Sequence, residues 1–76
     1  MRLIGLDPGL RVTGWGVIEM DGNRLRHVAN GGVRSDEDLP LPMRLAQLYE
    51  GLADVIRRFQ PIEAAVEETF VNVNPV

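Results

Sequence analysis

The chain of 76 residues contains no cysteine and no lysine, and its only histidine is His27. Without cysteine there are no disulfides, no thiolate nucleophile and no zinc site of the cysteine type. A single imidazole cannot build a multi-histidine metal centre and argues against a histidine-based triad, so any metal held here must sit on oxygen. With lysine absent, all eight basic residues are arginine. Their planar guanidinium groups suit bidentate pairing with carboxylate or phosphate, although genomic base composition explains the bias equally well. Long apolar runs are missing too. The amino-terminal run Leu3-Ile4-Gly5-Leu6 is broken by Asp7, too short for a signal peptide or a bilayer span, and the protein is expected to be cytoplasmic. No staple compensates for the small size. A free-standing domain of this length buries only about 60% of its unfolded surface, so the chain is expected to be a piece of a larger domain.

What is present is the composition of a folded protein. Hydrophobic residues make up 45% and charged residues 25%, with eight glycines and five prolines, which argues against disorder. The net charge of −3 argues against this segment clamping nucleic acid by itself.

Leu3–Leu6 closed by Asp7-Pro8-Gly9 reads as a buried strand ending in a turn, with Asp7 at its carboxyl end. A second strand is predicted from about Thr13 to Met20. Asp21-Gly22-Asn23 forms a tight connection to a third, from about Arg24 to Arg34. Gly14 and Gly16 around Trp15, and Gly31-Gly32, suggest bulges or close backbone approach. From Leu41 the apolar residues Leu45, Leu48, Leu52, Ile56 and Phe59 recur at a helical period. Pro42 suits the first turn, Arg57 and Arg58 the last, and Pro61 stops the helix. Gly51 inside it suggests a close neighbour. Ile62–Thr69 is predicted as a fourth strand with Glu67 and Glu68 near its end. This order, three antiparallel strands, a crossover helix and a parallel fourth strand, gives a partial α/β domain.

If the fourth strand pairs with the first, Asp7 and the Glu67-Glu68 pair reach the same end of neighbouring strands, roughly 4.8 Å apart. Two carboxylates so placed suit Mg²⁺, which takes one or two carboxylates, keeps several waters and draws its other ligands from phosphate. The chemistry would be phosphoryl transfer or phosphodiester hydrolysis, although a two-metal site needs more than two carboxylates. From spacing alone, the same residues read equally well as a turn cap at Asp7 and solvated strand-end charges. Gly9 and Gly14 are five apart, but no Lys-Ser or Lys-Thr follows, so the stretch is a turn rather than a phosphate loop of the Walker type. His27 reads as a surface or hydrogen-bonded imidazole, and Trp15 and Tyr49 as core or edge packing. Phe70 stands in a loop segment, where it either stacks on an exposed base or, more plainly, is buried under the sheet.

Ile4-Gly5-Leu6-Asp7-Pro8-Gly9 with Arg11-Val12-Thr13-Gly14-Trp15-Gly16-Val17, followed by Phe59-Gln60-Pro61 and Ala65-Val66-Glu67 with Phe70, resembles the amino-terminal half of the bacterial RuvC family of Holliday junction resolvases. The resemblance implies a ribonuclease H-like mixed sheet, with residues 1–76 as the amino-terminal part of one nuclease domain. It implies a homodimer that nicks two opposing strands of a four-way DNA junction in recombination and repair, using four carboxylates with Mg²⁺, two ions per site, and working with the RuvA and RuvB branch-migration proteins. Asp7 is then the first catalytic acid and metal ligand and Glu67 the second. Phe70 and Arg11 are candidate substrate contacts. The family's two remaining acids have no counterpart up to Val76, so the isolated chain is expected to be inactive. The alternatives are a nucleotide-binding domain of the actin, heat-shock ATPase and sugar-kinase fold, which Pro8 disfavours by removing a turn amide, and a ribonuclease H-like nuclease with another nucleic-acid substrate.

Overall fold

A computed structural model describes residues 1–67. Strand β1 (Arg2–Asp7), strand β2 (Val12–Asp21) and strand β3 (Arg24–Arg34) are followed by helix α1 (Leu41–Phe59) and strand β4 (Glu63–Val66). The sheet order is β3-β2-β1-β4, with β1–β2 and β2–β3 antiparallel and β1–β4 parallel. The expected meander, crossover helix and parallel return are all present.

Each boundary has a local cause. Gly22 takes φ +61 in the two-residue turn between β2 and β3, a conformation open to glycine without a Cβ penalty. Pro40 precedes α1 without a side-chain cap, and Pro42 occupies its first turn, where a missing N–H costs nothing. Gln60 ends the helix in the left-handed region at φ 50, its N–H donating to the Ile56 carbonyl at 2.8 Å. Pro61 then prevents continuation.

Helix α1 covers one face of the sheet. Alternation along β1 turns Ile4 and Leu6 toward the helix and Leu3, Gly5 and Asp7 toward the other face. Ile4, Val17 and Val55 form the centre of the core, with Leu6, Trp15, Val28 and Phe59 packed around them. Trp15 and Phe59 meet at 5.5 Å between ring centroids with a 43° tilt. Arg2 Nη1 donates to the Phe59 carbonyl at 3.1 Å, tying the start of β1 to the end of the helix.

Two expectations need correction. The buried line of α1 runs through Leu48 and Val55, whereas Leu45 and Ile56 are exposed. The helix is turned so that Gly51 and Val55 meet the sheet, which leaves part of the apolar arc uncovered. Tyr49 is 74% exposed and packs on neither core nor edge. Of the two alternatives at the glycines, close approach holds and a bulge does not: the sheet's register shift falls between Val17 and Ile18, opposite Val28. Gly31 instead accommodates the Trp15 indole, three of whose atoms lie within 3.3 Å of where a Cβ would stand.

Candidate active site

Asp7 is the last residue of β1 and pairs across the sheet with Gly14 of β2. Beyond it the chain turns through Pro8 and Gly9, and the turn is held by a side chain that the sequence reading passed over. The Thr13 hydroxyl donates to the Gly9 carbonyl at 2.9 Å and accepts from the Gly9 N–H at 3.3 Å. Thr13 is only 4% exposed, so this reciprocal pair satisfies a buried hydroxyl while fixing the turn. A side chain at position 9 would run into the Val12 carbonyl, which leaves glycine as the residue that fits the turn.

Glu67 reaches the site through the parallel ladder. Leu3, Ile4, Gly5 and Leu6 pair with Glu63, Ala64, Ala65 and Val66. The ladder takes one further step, the Glu67 N–H donating to the Leu6 carbonyl at 2.8 Å. Glu67 therefore follows Val66 as Asp7 follows Leu6, and the two acids share one end and one face of neighbouring strands.

Both line a cleft of about 550 Å³ on the face opposite α1. Its floor is paved with small residues. One row across the four strands reads Asn30, Gly16, Gly5 and Ala65, and the next reads Gly32, Gly14 and Asp7, with Glu67 beyond. Such a floor lets a flat or extended ligand approach the backbone closely. Asn30 lines the cleft as well, and nothing in the periodicity of β3 marked it.

Arg11 is not brought into this cleft. It is an exposed residue of the turn and forms an ion pair with Glu37 in the connection to α1. His27 is hydrogen-bonded, its Nε2 lying 3.0 Å from Asn30 Oδ1, as the sequence reading expected. Phe70 and Glu68 lie outside the described residues.

The donor set fits a hard divalent cation in part. Two carboxylates at adjacent strand ends are what Mg²⁺ takes from a protein when substrate and water supply the rest. Among the described residues no group of three or more histidine, cysteine, aspartate or glutamate side chains comes together. Also among them, no helix is long and apolar enough to cross a membrane.

Comparison with known proteins adds family and fold. The family model described as crossover junction endodeoxyribonuclease RuvC matches residues 3–76. A crossover junction endodeoxyribonuclease RuvC of Rhodospirillum rubrum is 67% identical over 75 residues, covering 99% of this chain and 44% of that protein. Its counterpart in Gluconacetobacter diazotrophicus is 58% identical over 74 residues, again 44% of its length. The chain thus spans less than half of the curated relatives it matches. Thermus thermophilus RuvC superposes with a TM-score of 0.82 at 28% identity over the whole chain and 48% of that structure. The same protein in complex with a Holliday junction substrate gives 0.83. An Aquifex aeolicus PPX-GPPA enzyme, 14% identical with a TM-score of 0.66, shares the fold alone.

Proposed function

Because the chain belongs to the RuvC family of crossover junction endodeoxyribonucleases, we propose that it supplies the first two catalytic acids of a Mg²⁺-dependent nuclease that resolves four-way DNA junctions. Residues 1–76 form the amino-terminal part of one ribonuclease H-like domain. The whole protein acts as a cytoplasmic homodimer, making paired nicks in recombination and repair beside the RuvA and RuvB branch-migration proteins. The observation that carries this reading is the hydrogen bond from Glu67 N–H to the Leu6 carbonyl, which sets Glu67 beside Asp7 at the cleft.

Asp7 and Glu67 are the residues that would hold the metal, with further ligands supplied from outside the described residues. The chemistry a divalent ion held there would supply is activation of water and neutralisation of charge at the leaving oxygen. The protein's own part is positional. The Thr13–Gly9 bonds hold the turn after Asp7, and the parallel ladder holds Glu67, so neither carboxylate has to be ordered when substrate arrives. The glycine floor admits the sugar–phosphate chain. Phe70 stacks on a base opened at the crossover, and Arg11 exchanges Glu37 for a backbone phosphate.

Two carboxylates do not complete a two-metal cage, so the 76-residue chain alone is inactive. The test compares a four-way junction with a linear duplex of the same sequence, using a full-length protein that contains this chain. Symmetric nicks confined to the junction, lost without Mg²⁺ and in Asp7→Asn while junction binding persists, are the expected result. Equal cutting of both substrates, or none, would leave only the fold in common.

A further inference from the structure

Residues 27 and 30 of a regular strand face opposite sides of the sheet, because successive side chains alternate. Here they meet. The pairing runs Gly16↔Asn30, Val17↔Ala29 and then Ile18↔His27, so Val28 is an extra residue with no partner of its own. This bulge reverses the alternation for what precedes it. His27 comes onto the same face as Asn30, close enough for a 3.0 Å contact between Nε2 and Oδ1. Val28 meanwhile packs against the core on the helix side. Bulges of this kind recur beside active sites, where they re-aim a side chain.

The face they share is that of Asp7 and Glu67, and Asn30 lines the same cleft. With Oδ1 against Nε2, the ring must carry its proton on Nε2, and His27 donates to the amide oxygen. The Asn30 amide is then oriented with both N–H groups of Nδ2 left to donate. Between Asn30 and Asp7 the floor offers no side chain larger than hydrogen, since Gly16 and Gly5 complete one row and Gly14 and Gly32 flank the other. Asn30 stands two strands from Asp7 and two residues back along the sheet. That is roughly 10 Å across and 7 Å along, on the order of 12 Å in all, so a group held by Asn30 is not the one reacting at Asp7.

We infer that Asn30, oriented by His27 across the Val28 bulge, is a substrate contact that donates from Nδ2 to a backbone phosphate of the nucleic-acid strand being cut, one or two nucleotides from the scissile bond. The inference rests on the reading of the Asp7–Glu67 cleft as a nuclease site. His27 acts as a positioning residue. A polar donor at the far end of an otherwise bare floor fixes the direction in which an extended strand lies, and thereby which phosphodiester reaches the two acids.

The test uses a full-length protein containing this chain, a four-way junction substrate and a set of junctions in which single phosphates near the cut are replaced by neutral methylphosphonates. Loss of one hydrogen bond to a charged phosphate predicts that Asn30→Ala raises KM roughly tenfold with kcat within about twofold. One methylphosphonate position outside the scissile bond should raise the wild-type KM by a similar factor and that of Asn30→Ala by less than about twofold. His27→Gln, which keeps an N–H donor, should behave as wild type, and His27→Ala should lose sensitivity at that same phosphate. Equal phosphate sensitivity of Asn30→Ala and wild type at every position, or an unchanged KM, would overturn the assignment. So would a loss confined to thermal stability. If the wild type cuts no junction while Asn30→Ala is equally inert, it is the nuclease reading itself that falls.

Discussion

Gly51 of α1 and Val33 of β3 stand so close that a Cβ on Gly51 would collide with Val33 Cγ1 and press on its Cβ at 3.2 Å. Two effects therefore oppose each other at this position. Alanine in place of a mid-helix glycine favours the helix by about 1 kcal/mol. Overpacking against a stiff β-branched side chain costs about 1–3 kcal/mol. Gly51→Ala should therefore destabilise the fold despite its better helix propensity, as urea denaturation would register. The cause is checked by repeating the change on Val33→Ala, where the obstruction is gone and Gly51→Ala should stabilise.

Thr13 supplies the second prediction. Its hydroxyl makes both bonds to Gly9, so Thr13→Val keeps the shape and leaves the Gly9 N–H and carbonyl without that partner. A loss of about 1–3 kcal/mol in stability follows. In a full-length protein, cleavage should fall more than junction binding, because the turn that follows Asp7 is loosened while, of the proposed DNA contacts, only Arg11 lies in that turn. Thr13→Ser retains the hydroxyl and should recover most of both. Equal activity of Thr13→Val and wild type would separate the turn from the chemistry.

Strand ends were legible because turn chemistry is local: Asp7-Pro8-Gly9 and Asp21-Gly22-Asn23 mark chain reversals without reference to the rest of the fold. The same holds for α1, bracketed by Pro42 and Pro61. A parallel return of β4 followed from topology, since a crossover helix brings back a parallel strand, but its pairing with β1 was only a condition in the sequence; the ladder meets that condition and places Glu67 beside Asp7. Helix rotation was not legible. Val55 and Ile56 are both apolar and adjacent, and the choice of Val55 as the core residue depends on Gly51 meeting Val33, a contact outside the helix's own pattern. The Val28 bulge was hidden for a related reason. Gly31-Gly32 carries the composition of an irregularity, yet Gly31 serves the Trp15 ring, and the register changes at an ordinary valine. Asn30 could not be placed at the cleft without that shift.

Glu67 is the site residue whose position depends most on context, since β4 ends at Val66 and a single backbone bond to Leu6 carries the ladder past it. Glu67→Gln preserves size and hydrogen-bonding reach while removing the charge a metal requires. In a full-length protein it should lower Mg²⁺-dependent junction cleavage by at least about 100-fold, more than the loss typical of residues that merely support a metal ligand. Junction affinity measured in Ca²⁺ or without metal should change little. A chelator should abolish cleavage by the wild type and by Glu67→Gln alike. A variant that keeps near-normal turnover would remove Glu67 from the metal site and return it to a solvated strand-end charge.

Glu19 sets a pH dependence away from the cleft. The amino-terminal ammonium of Met1 lies 2.8 Å from Glu19 Oε2, and Arg2 Nε lies 3.4 Å from Oε1. The hydrogen bond from the ammonium is the largest influence and holds the carboxyl below its ordinary value of 4.5; desolvation opposes it, and the charges of the ammonium and of Arg2 add to the lowering. Because the folded value is the lower one, the unfolded chain binds the proton first, and stability falls as pH drops. The contribution is fully present above the unfolded value and disappears once pH passes below the folded one. The pair joins the start of β1 to β2, where Met1 and Met20 also exchange backbone hydrogen bonds at 2.7 and 2.9 Å. Glu19→Gln keeps the shape and removes the titration. The Tm of the wild type should exceed that of the variant at pH 6–7, and the difference should close as pH falls through the acid range below about 4.5. Salt at about 1 M should shrink it at neutral pH, since the pair is exposed to screening. A Tm difference independent of pH would mean that the side chain contributes by packing, not charge.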